Sequence, residues 1–561
     1  MNAATPASGP GRISRASHAR RCATLAAILL AWAISWLVLC GFRPLFNPDE
    51  GRYAEIPREM LASGDWVIPH LDGLVYIEKP PLQYWATALV YELFGERDWS
   101  ARLYTALCGL GTALITAALA RRLWGGAAAW RSGIMLATSL MVMLMSHQLT
   151  LDMSLTLFMT ATLAAFLLAQ QHDLAARARR AWMALAWASA AGALLTKGLI
   201  AGVLPILTLG AYSVLHRDLK PWRRLAPLIG LGVLAALTLP WFVLIQHRLP
   251  SFFDFFIIRE HFQRYLTLLE ARYEPWWFFV EVLAAGSLPW IAPALRALAR
   301  DWRASVPSGG FDVRRFLWVY SVVVLVFFSA SDSKLIPYIL PMFPAVALLA
   351  GSAPEPRLRA DLRATGTGML IAGVVLAMAV LLLPRFLPNP ERAPYFLGIR
   401  APLGLAAGLM LAGGVLVRRL RGGSLPLTVA VGGTAYAIFI AVSWAARLLA
   451  PIYSGGPLLA QLAPALRSTP TVYSVRMYDQ SLPFYLRRTV TLVDYRGELD
   501  FGQSLEPYKS IRTLTAFEPL WRGSSQALAV MQPVTYAGLL RDGLPMVVRA
   551  RVPNELIVSR R

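Results

Sequence analysis

Residues 46–84 read FNPDEGRYAEIPREMLASGDWVIPHLDGLVYIEKPPLQY. This long polar stretch lies between two apolar runs and holds Asp49, Glu50, Arg52, Glu55, Arg58, Glu59, Glu78 and Lys79. The 561-residue chain around it is 56% hydrophobic and only 15% charged, with a mean hydropathy of +0.50. Soluble domains run nearer 25% charged, so most of this chain is expected in lipid. Charge kept beside a bilayer is costly and marks a candidate functional site.

Outward from that loop, apolar runs long enough to cross a membrane recur. The first spans about 23–41, behind Arg12, Arg15, Arg20 and Arg21. No small-residue cleavage site follows it, so it reads as a retained helix with a cytoplasmic N-terminus. Twelve more centre near 111, 139, 161, 189, 207, 235, 287, 323, 343, 376, 409 and 437, thirteen spans in all. The basic clusters at 121–131, 177–180, 217–224, 296–315, 357–363 and 418–421 fall on alternate loops, as the positive-inside rule requires. Loops 42–100, 246–275 and 386–400, and everything after about 449, then face the other side, the periplasm of a bacterium. The net charge of +22 fits such a pattern and contact with anionic membrane lipids, and argues against nucleic acid as a partner. Cys22, Cys40 and Cys108 lie in or beside apolar runs and suggest neither a disulfide framework nor a zinc cluster.

Two domains are expected: a transmembrane part over 1–452, whose loops 42–100 and 246–275 form the site, and a soluble α/β unit over 453–561. In the tail, 471–475, 489–493, 527–531 and 546–552 read as strands, and 480–486 and 536–541 as helices. No dinucleotide fingerprint, phosphate-binding loop or HExxH pair occurs in it.

Asn47-Pro48-Asp49-Glu50 has the form of a helix start: Asn47 as cap, Pro48 first, acids in the first turn. Those acids could simply complement the helix dipole. Arg52, three residues from Asp49 on one helical face, and Pro57, expected to break the helix, favour a site instead. The run from Pro80-Pro81 starts a second helix whose Tyr84, Trp85 and Tyr91 suit a headgroup region. Arg52, Lys79, Lys197, Arg259, Arg264, Arg272 and Lys334 all fall on the outer side. Any one could be a snorkelling anchor, but seven together point to an anionic ligand, at a membrane a lipid phosphate. Asp152, at a tight outer turn, is either a first-turn acid or a second site carboxylate. Glu78 and His261 could ligate a metal.

In this order the residues resemble a known family. Pro48-Asp49-Glu50, Arg52-Tyr53-Ala54-Glu55-Ile56-Pro57-Arg58 with the following EMLASGDW, Glu78-Lys79-Pro80-Pro81, Leu195-Thr196-Lys197-Gly198 and Ser333-Lys334-Leu335-Ile336-Pro337-Tyr338 look like the GT-C glycosyltransferases that use polyprenyl-phosphate sugars. The wording is most similar to the 4-amino-4-deoxy-L-arabinose transferases that modify lipid A. Ile336 stands where that family's pattern has proline, and the tail carries no motif to align.

The resemblance implies a polytopic α-helical GT-C enzyme in the bacterial inner membrane, with its site and C-terminal unit periplasmic. It implies undecaprenyl phosphate-linked aminoarabinose as donor and a lipid A phosphate as acceptor, and hence resistance to polymyxin and cationic peptides. By residue, Asp49 and Asp152 would be the site's acids. Arg52, Lys79, Arg264 and Tyr338 would hold the donor phosphate, with Lys197, Lys334, Tyr53, Arg58 and Glu78 around them. No cofactor is required, since the cations can serve the phosphate; a divalent metal at Glu78 and His261 is compatible. A protein O-mannosyltransferase is the nearest alternative. A transporter or lipid flippase, from a different class, is disfavoured because no internal repeat of the NPDE or EKPP stretches occurs and the charges cluster at one face.

Overall fold

The computed structural model describes residues 15–171, 174–263, 274–303, 311–387, 389–464, 471–524 and 526–560. Long apolar runs form helices, because in lipid every backbone group must find its partner within the segment. Among the described residues six helices are long and apolar enough to cross a membrane: Asp98–Trp124, Asp152–Ala169, Pro227–Arg248, Glu355–Phe386, Ala393–Arg419 and Ser424–Leu448. The bent pair Gly126–Ala137 and Leu140–Ser146, angled at 63°, makes a seventh if counted as one span. Thirteen spans are expected from the sequence; six or seven of those runs meet this length and apolarity among the described residues. The runs centred near 139 and 287 are each broken into two helices, the second at Gly286 before Ile291. The segments Ala26–Gly41, Ile200–His216 and Ile336–Gly351 are apolar but shorter. Many large apolar side chains of this region point outward, Leu228 being 90% exposed, as a lipid-facing surface requires. Where two helices meet closely the contacts are small: a methyl group on Gly414 would lie 2.7 Å from the Gly366 carbonyl oxygen, the kind of approach that packs membrane helices.

The tail folds around a five-stranded sheet. With β1 as His70–Leu71 and β2 as Leu74–Val75 in the first outer loop, its strands are β3 (Thr471–Val475), β4 (Thr491–Val493), β5 (Ala527–Met531), β6 (Val547–Arg551) and β7 (Leu556–Ser559). The order is β4-β3-β5-β7-β6. The β3–β4 and β3–β5 pairs are parallel, and β7 runs antiparallel to β5 and β6. The four expected strands and both expected helices are present. Strand β7 and the helix Leu514–Gly523 were not foreseen.

This sheet unit does not hang free. Its Leu458, Val472, Leu482 and Leu528 share one buried apolar core with Leu45, Tyr53, Ile56, Leu71 and Tyr84 of the first outer loop. Phe501 of the tail also stacks on Phe255, ring centroids 3.9 Å apart, in the wide helical turn Phe253–Gln263 of the second outer loop. Both outer loops and the tail therefore close over the same end of the helical body.

Candidate active site

The first outer loop is built on the helix Asp49–Ser63, which runs through Pro57 and ends where Gly64 takes a left-handed φ of 71°. Two expectations change here. Pro57 does not break the helix. It is buried along with Ile56 and Met60, and tertiary packing overrides the lost backbone bond. Asn47 does not cap the helix either, since Pro48 occupies the cap position without a side-chain bond. The Asn47 side-chain oxygen instead accepts the backbone N–H of Ser481 in the tail at 2.9 Å. The second loop helix, Leu82–Phe94, follows Pro80-Pro81 as expected, but Tyr84 and Tyr91 are buried rather than set in a headgroup region. Tyr91 donates to the Ala54 carbonyl at 3.2 Å, and Tyr84 packs on Tyr53 with ring centroids 6.1 Å apart.

Asp49 lies half-exposed at the helix start, with Arg52 3.7 Å away one turn later. Arg52 is the hub of this corner. It pairs with Glu498 of the tail at 2.6 Å, donates to the Tyr76 hydroxyl at 3.2 Å, and lies 5.7 Å from the Tyr53 ring centre. Glu78 faces the same group, close enough to Arg52, Tyr53 and Tyr76 to influence their ionisation. Burial pushes the Glu498 carboxyl above its ordinary value, although Arg52 opposes the shift. Next along the chain, Lys79 lies 3.5 Å from Glu260 of the second outer loop and donates to the Glu78 carbonyl at 2.9 Å.

A second group forms at the ends of three helical segments. Asp152 opens Asp152–Ala169 and accepts a short hydrogen bond from Lys197, the last residue of Ala176–Lys197. Lys197 in turn lies 4.9 Å from the centre of the Tyr338 ring, an arrangement that holds the ammonium by charge on one side and ring face on the other. Lys334 is buried and donates to the Ser331 carbonyl at 2.6 Å. Shared apolar clusters connect the segments that carry the two groups. Leu195 packs in one apolar cluster with Ile77, beside Glu78 and Lys79, and Leu149 and Leu151 pack with Tyr53 and Ala54.

Arg58 stands apart from the rest. It is buried against Glu55, with Nε 2.6 Å from the carboxylate, on the opposite side of its helix from Asp49. Arg259 is exposed and stacks over Phe255 at 5.3 Å. The His261 side chain, and Arg264 and Arg272 entirely, lie outside the described residues. Among the described residues no three His, Cys, Asp or Glu side chains gather where they could hold a metal ion. Cys40 and Cys108 are buried free thiols.

Comparison with known proteins gives this geometry a family. A family model of dolichyl-phosphate-mannose-protein mannosyltransferases matches residues 22–256, and one of the aminoarabinose transferase C-terminal domain matches 458–560. An undecaprenyl phosphate-alpha-4-amino-4-deoxy-L-arabinose arabinosyl transferase of Pseudomonas aeruginosa PAO1 is 32% identical over 92% of this chain and 93% of its own length. The chain belongs to the aminoarabinose transferases. A relative from Erwinia tasmaniensis is 32% identical over 75% of this chain and 73% of its own. The crystal structure of ArnT from Cupriavidus metallidurans bound to undecaprenyl phosphate is 35% identical and covers 96% of this chain and 98% of its own, with a TM-score of 0.88. This chain is accordingly a multi-pass membrane glycosyltransferase of GT-C type.

In this aminoarabinose transferase, sequence reasoning overlooked the residues that neutralise the site cations. Glu498 stands in a tail segment with no motif, and only the fold brings it to Arg52. Glu260 gave no signal beyond proximity to the basic second loop. Arg102 did give one, as a charge in the first turns of an apolar span. It is fully buried against Glu50.

Proposed function

We propose that this enzyme transfers 4-amino-4-deoxy-L-arabinose from undecaprenyl phosphate to a phosphate of lipid A, at the periplasmic face of the bacterial inner membrane. The observation that carries this reading is the likeness, over 96% of the chain, to a transferase solved with undecaprenyl phosphate. The site's own chemistry supports it. Breaking a sugar–phosphate bond places positive charge on the ring and negative charge on the departing phosphate. Lys79, Lys197 and Lys334, with Arg52, supply fixed positive charge for that phosphate in a largely buried setting.

The acceptor decides what the acids do. A lipid A phosphate is already anionic near neutrality, its second pKa being about 6, and needs no general base. Its oxygen attacks C1 of the sugar, the C1–oxygen bond to the carrier breaks, and undecaprenyl phosphate leaves with the electron pair. In this reading Asp49 and Asp152 are not proton acceptors. Asp49 faces the ring charge or the 4-ammonium, and Asp152 orients Lys197. No metal is required, since the site's cations can serve the phosphate. The product masks a negative charge of lipid A, which weakens polymyxin and cationic peptide binding.

The test is turnover by purified protein in detergent, given the lipid-linked aminoarabinose and lipid A. Transfer without a membrane gradient supports an enzyme; movement of lipid between leaflets without transfer would support the transporter instead. Asp49→Asn separates the acceptor types. It should slow transfer to a hydroxyl acceptor far more than transfer to a phosphate, and equal losses on both would contradict the role given to Asp49.

A further inference from the structure

Beside Asp49, Glu50 points the other way. It is completely buried. Its Oε1 accepts from Arg102 Nε at 2.7 Å, Arg43 Nη2 at 3.2 Å and the backbone N–H of Leu149 at 3.0 Å. Its Oε2 accepts from Arg102 Nη2 at 2.9 Å, from the Phe46 N–H at 2.8 Å and from Arg43 Nη1. The two arginines then fasten the backbone around it. Arg102 donates to the carbonyls of Cys40, Arg43 and Pro44 at 2.8 to 2.9 Å. Arg43 donates to the carbonyls of Pro44 at 3.1 Å and His147 at 3.4 Å.

These bonds reach two separate strips of chain. One is 40–50, which delivers Asp49. The other is 147–149, three residues before Asp152. A single buried carboxylate therefore holds the backbone leading into both site acids. Its charge is not free to act as a proton carrier: burial opposes it, but Arg102 and Arg43 keep it well below the usual carboxylate range.

We infer that Glu50, clamped by Arg102 and Arg43, is a positioning residue of the transfer reaction, fixing the Asp49 turn against the turn that carries Asp152. It touches no substrate in this role. The inference rests on the reading of this site as a sugar–phosphate transferase. Wild-type turnover tests that reading, and the ratio of variant to wild type tests Glu50 separately.

A small error in how reacting groups are held can cost about a hundredfold in rate. Glu50→Gln keeps the shape and one carbonyl acceptor but removes the charge. Its kcat should fall by about a hundredfold while KM for the donor and the dissociation constant for undecaprenyl phosphate stay within about threefold. Glu50→Asp keeps the charge between the arginines, and so the fold, but withdraws the carboxylate by one methylene from the Leu149 N–H. It should show the same split, with kcat down by about tenfold, and it decides the matter if the glutamine variant does not accumulate. In a background carrying both Asp49→Asn and Asp152→Asn, Glu50→Asp should cost little more, since residues acting through the same groups are not additive. Unchanged kcat in folded Glu50→Asp would overturn the inference, as would a loss that multiplies with that of the Asp49→Asn, Asp152→Asn double variant.

Discussion

Arg52 of the first outer loop and Glu498 of the C-terminal unit, far apart in the chain, are joined by an ion pair of 2.6 Å. Their side chains are only 11% and 15% exposed, so the pair is mostly shielded from water. Removing one partner of such a pair leaves a buried charge and costs about 3 kcal/mol. Glu498→Gln should therefore lower the thermal midpoint in detergent. It should also reduce sugar transfer by at least tenfold, because Arg52 loses its nearest carboxylate and, among the described residues, the only ion pair left to it is the 3.7 Å one with Asp49. A variant with wild-type rate and midpoint would contradict the place given to the tail in the site.

Gly51 gives a second handle on the same junction. A methyl group there would lie 2.7 Å from the Gln480 carbonyl oxygen and closer still to the Ser481 nitrogen. That backbone cannot retreat without releasing Asn47, whose side chain accepts the Ser481 N–H. Overpacking a site this tight costs about 1–3 kcal/mol. Gly51→Ala should loosen the C-terminal unit, seen as faster limited proteolysis of the tail with the membrane helices intact.

The junction should also respond to pH. Burial raises the carboxyl of Asp72 well above its ordinary value of 3.8. The Asp72 carboxylate accepts the Val490 N–H at 2.7 Å, so it lies between loop and tail. A carboxyl raised in the folded state contributes stability that is complete below its unfolded value and lost as pH rises through its folded value. Glu50 works with the opposite sign: its depressed value adds stability above 4.5 that is lost only in stronger acid. The tail should thus resist unfolding better at about pH 5.5 than at about pH 8.5, and Asp72→Asn should shrink that difference. Thermal melts at the two pH values check it.

Asp152 and Lys197 make a pair whose purpose can be separated by a double variant. If Asp152 acts by holding Lys197 over Tyr338, then Asp152→Asn and Lys197→Gln each slow transfer by about a hundredfold. The combined variant should be scarcely slower than either. Multiplied losses, measured as kcat at saturating donor, would give Asp152 a separate role.

Much of this architecture is legible from residue order because the bilayer imposes length and polarity on every span. The polar stretch at 46–84 declares the site for the same reason. The helix through Pro57 and the buried Tyr84 and Tyr91 were not legible. Each depends on a tail that covers the loop, and nothing local to the loop announces that cover. The breaks near Ser139 and Ser287, where one apolar run becomes two helices, were not legible from run length alone. Glu498 and Glu50 show the two sides of the matter. Glu498 reaches Arg52 only through a sheet topology that the strand pattern could not supply. Glu50 sits in the quoted motif itself, but which way it points is set by Arg102 on another helix.

The central claim, a lipid A aminoarabinose transferase, is tested most directly by mass spectrometry of lipid A from cells with and without this gene. The account predicts that lipid A from cells carrying the gene gains aminoarabinose on its phosphates, and that the gain disappears with Lys79→Ala. Identical lipid A in both strains, with the sugar instead on protein hydroxyls or remaining on its carrier, would contradict it.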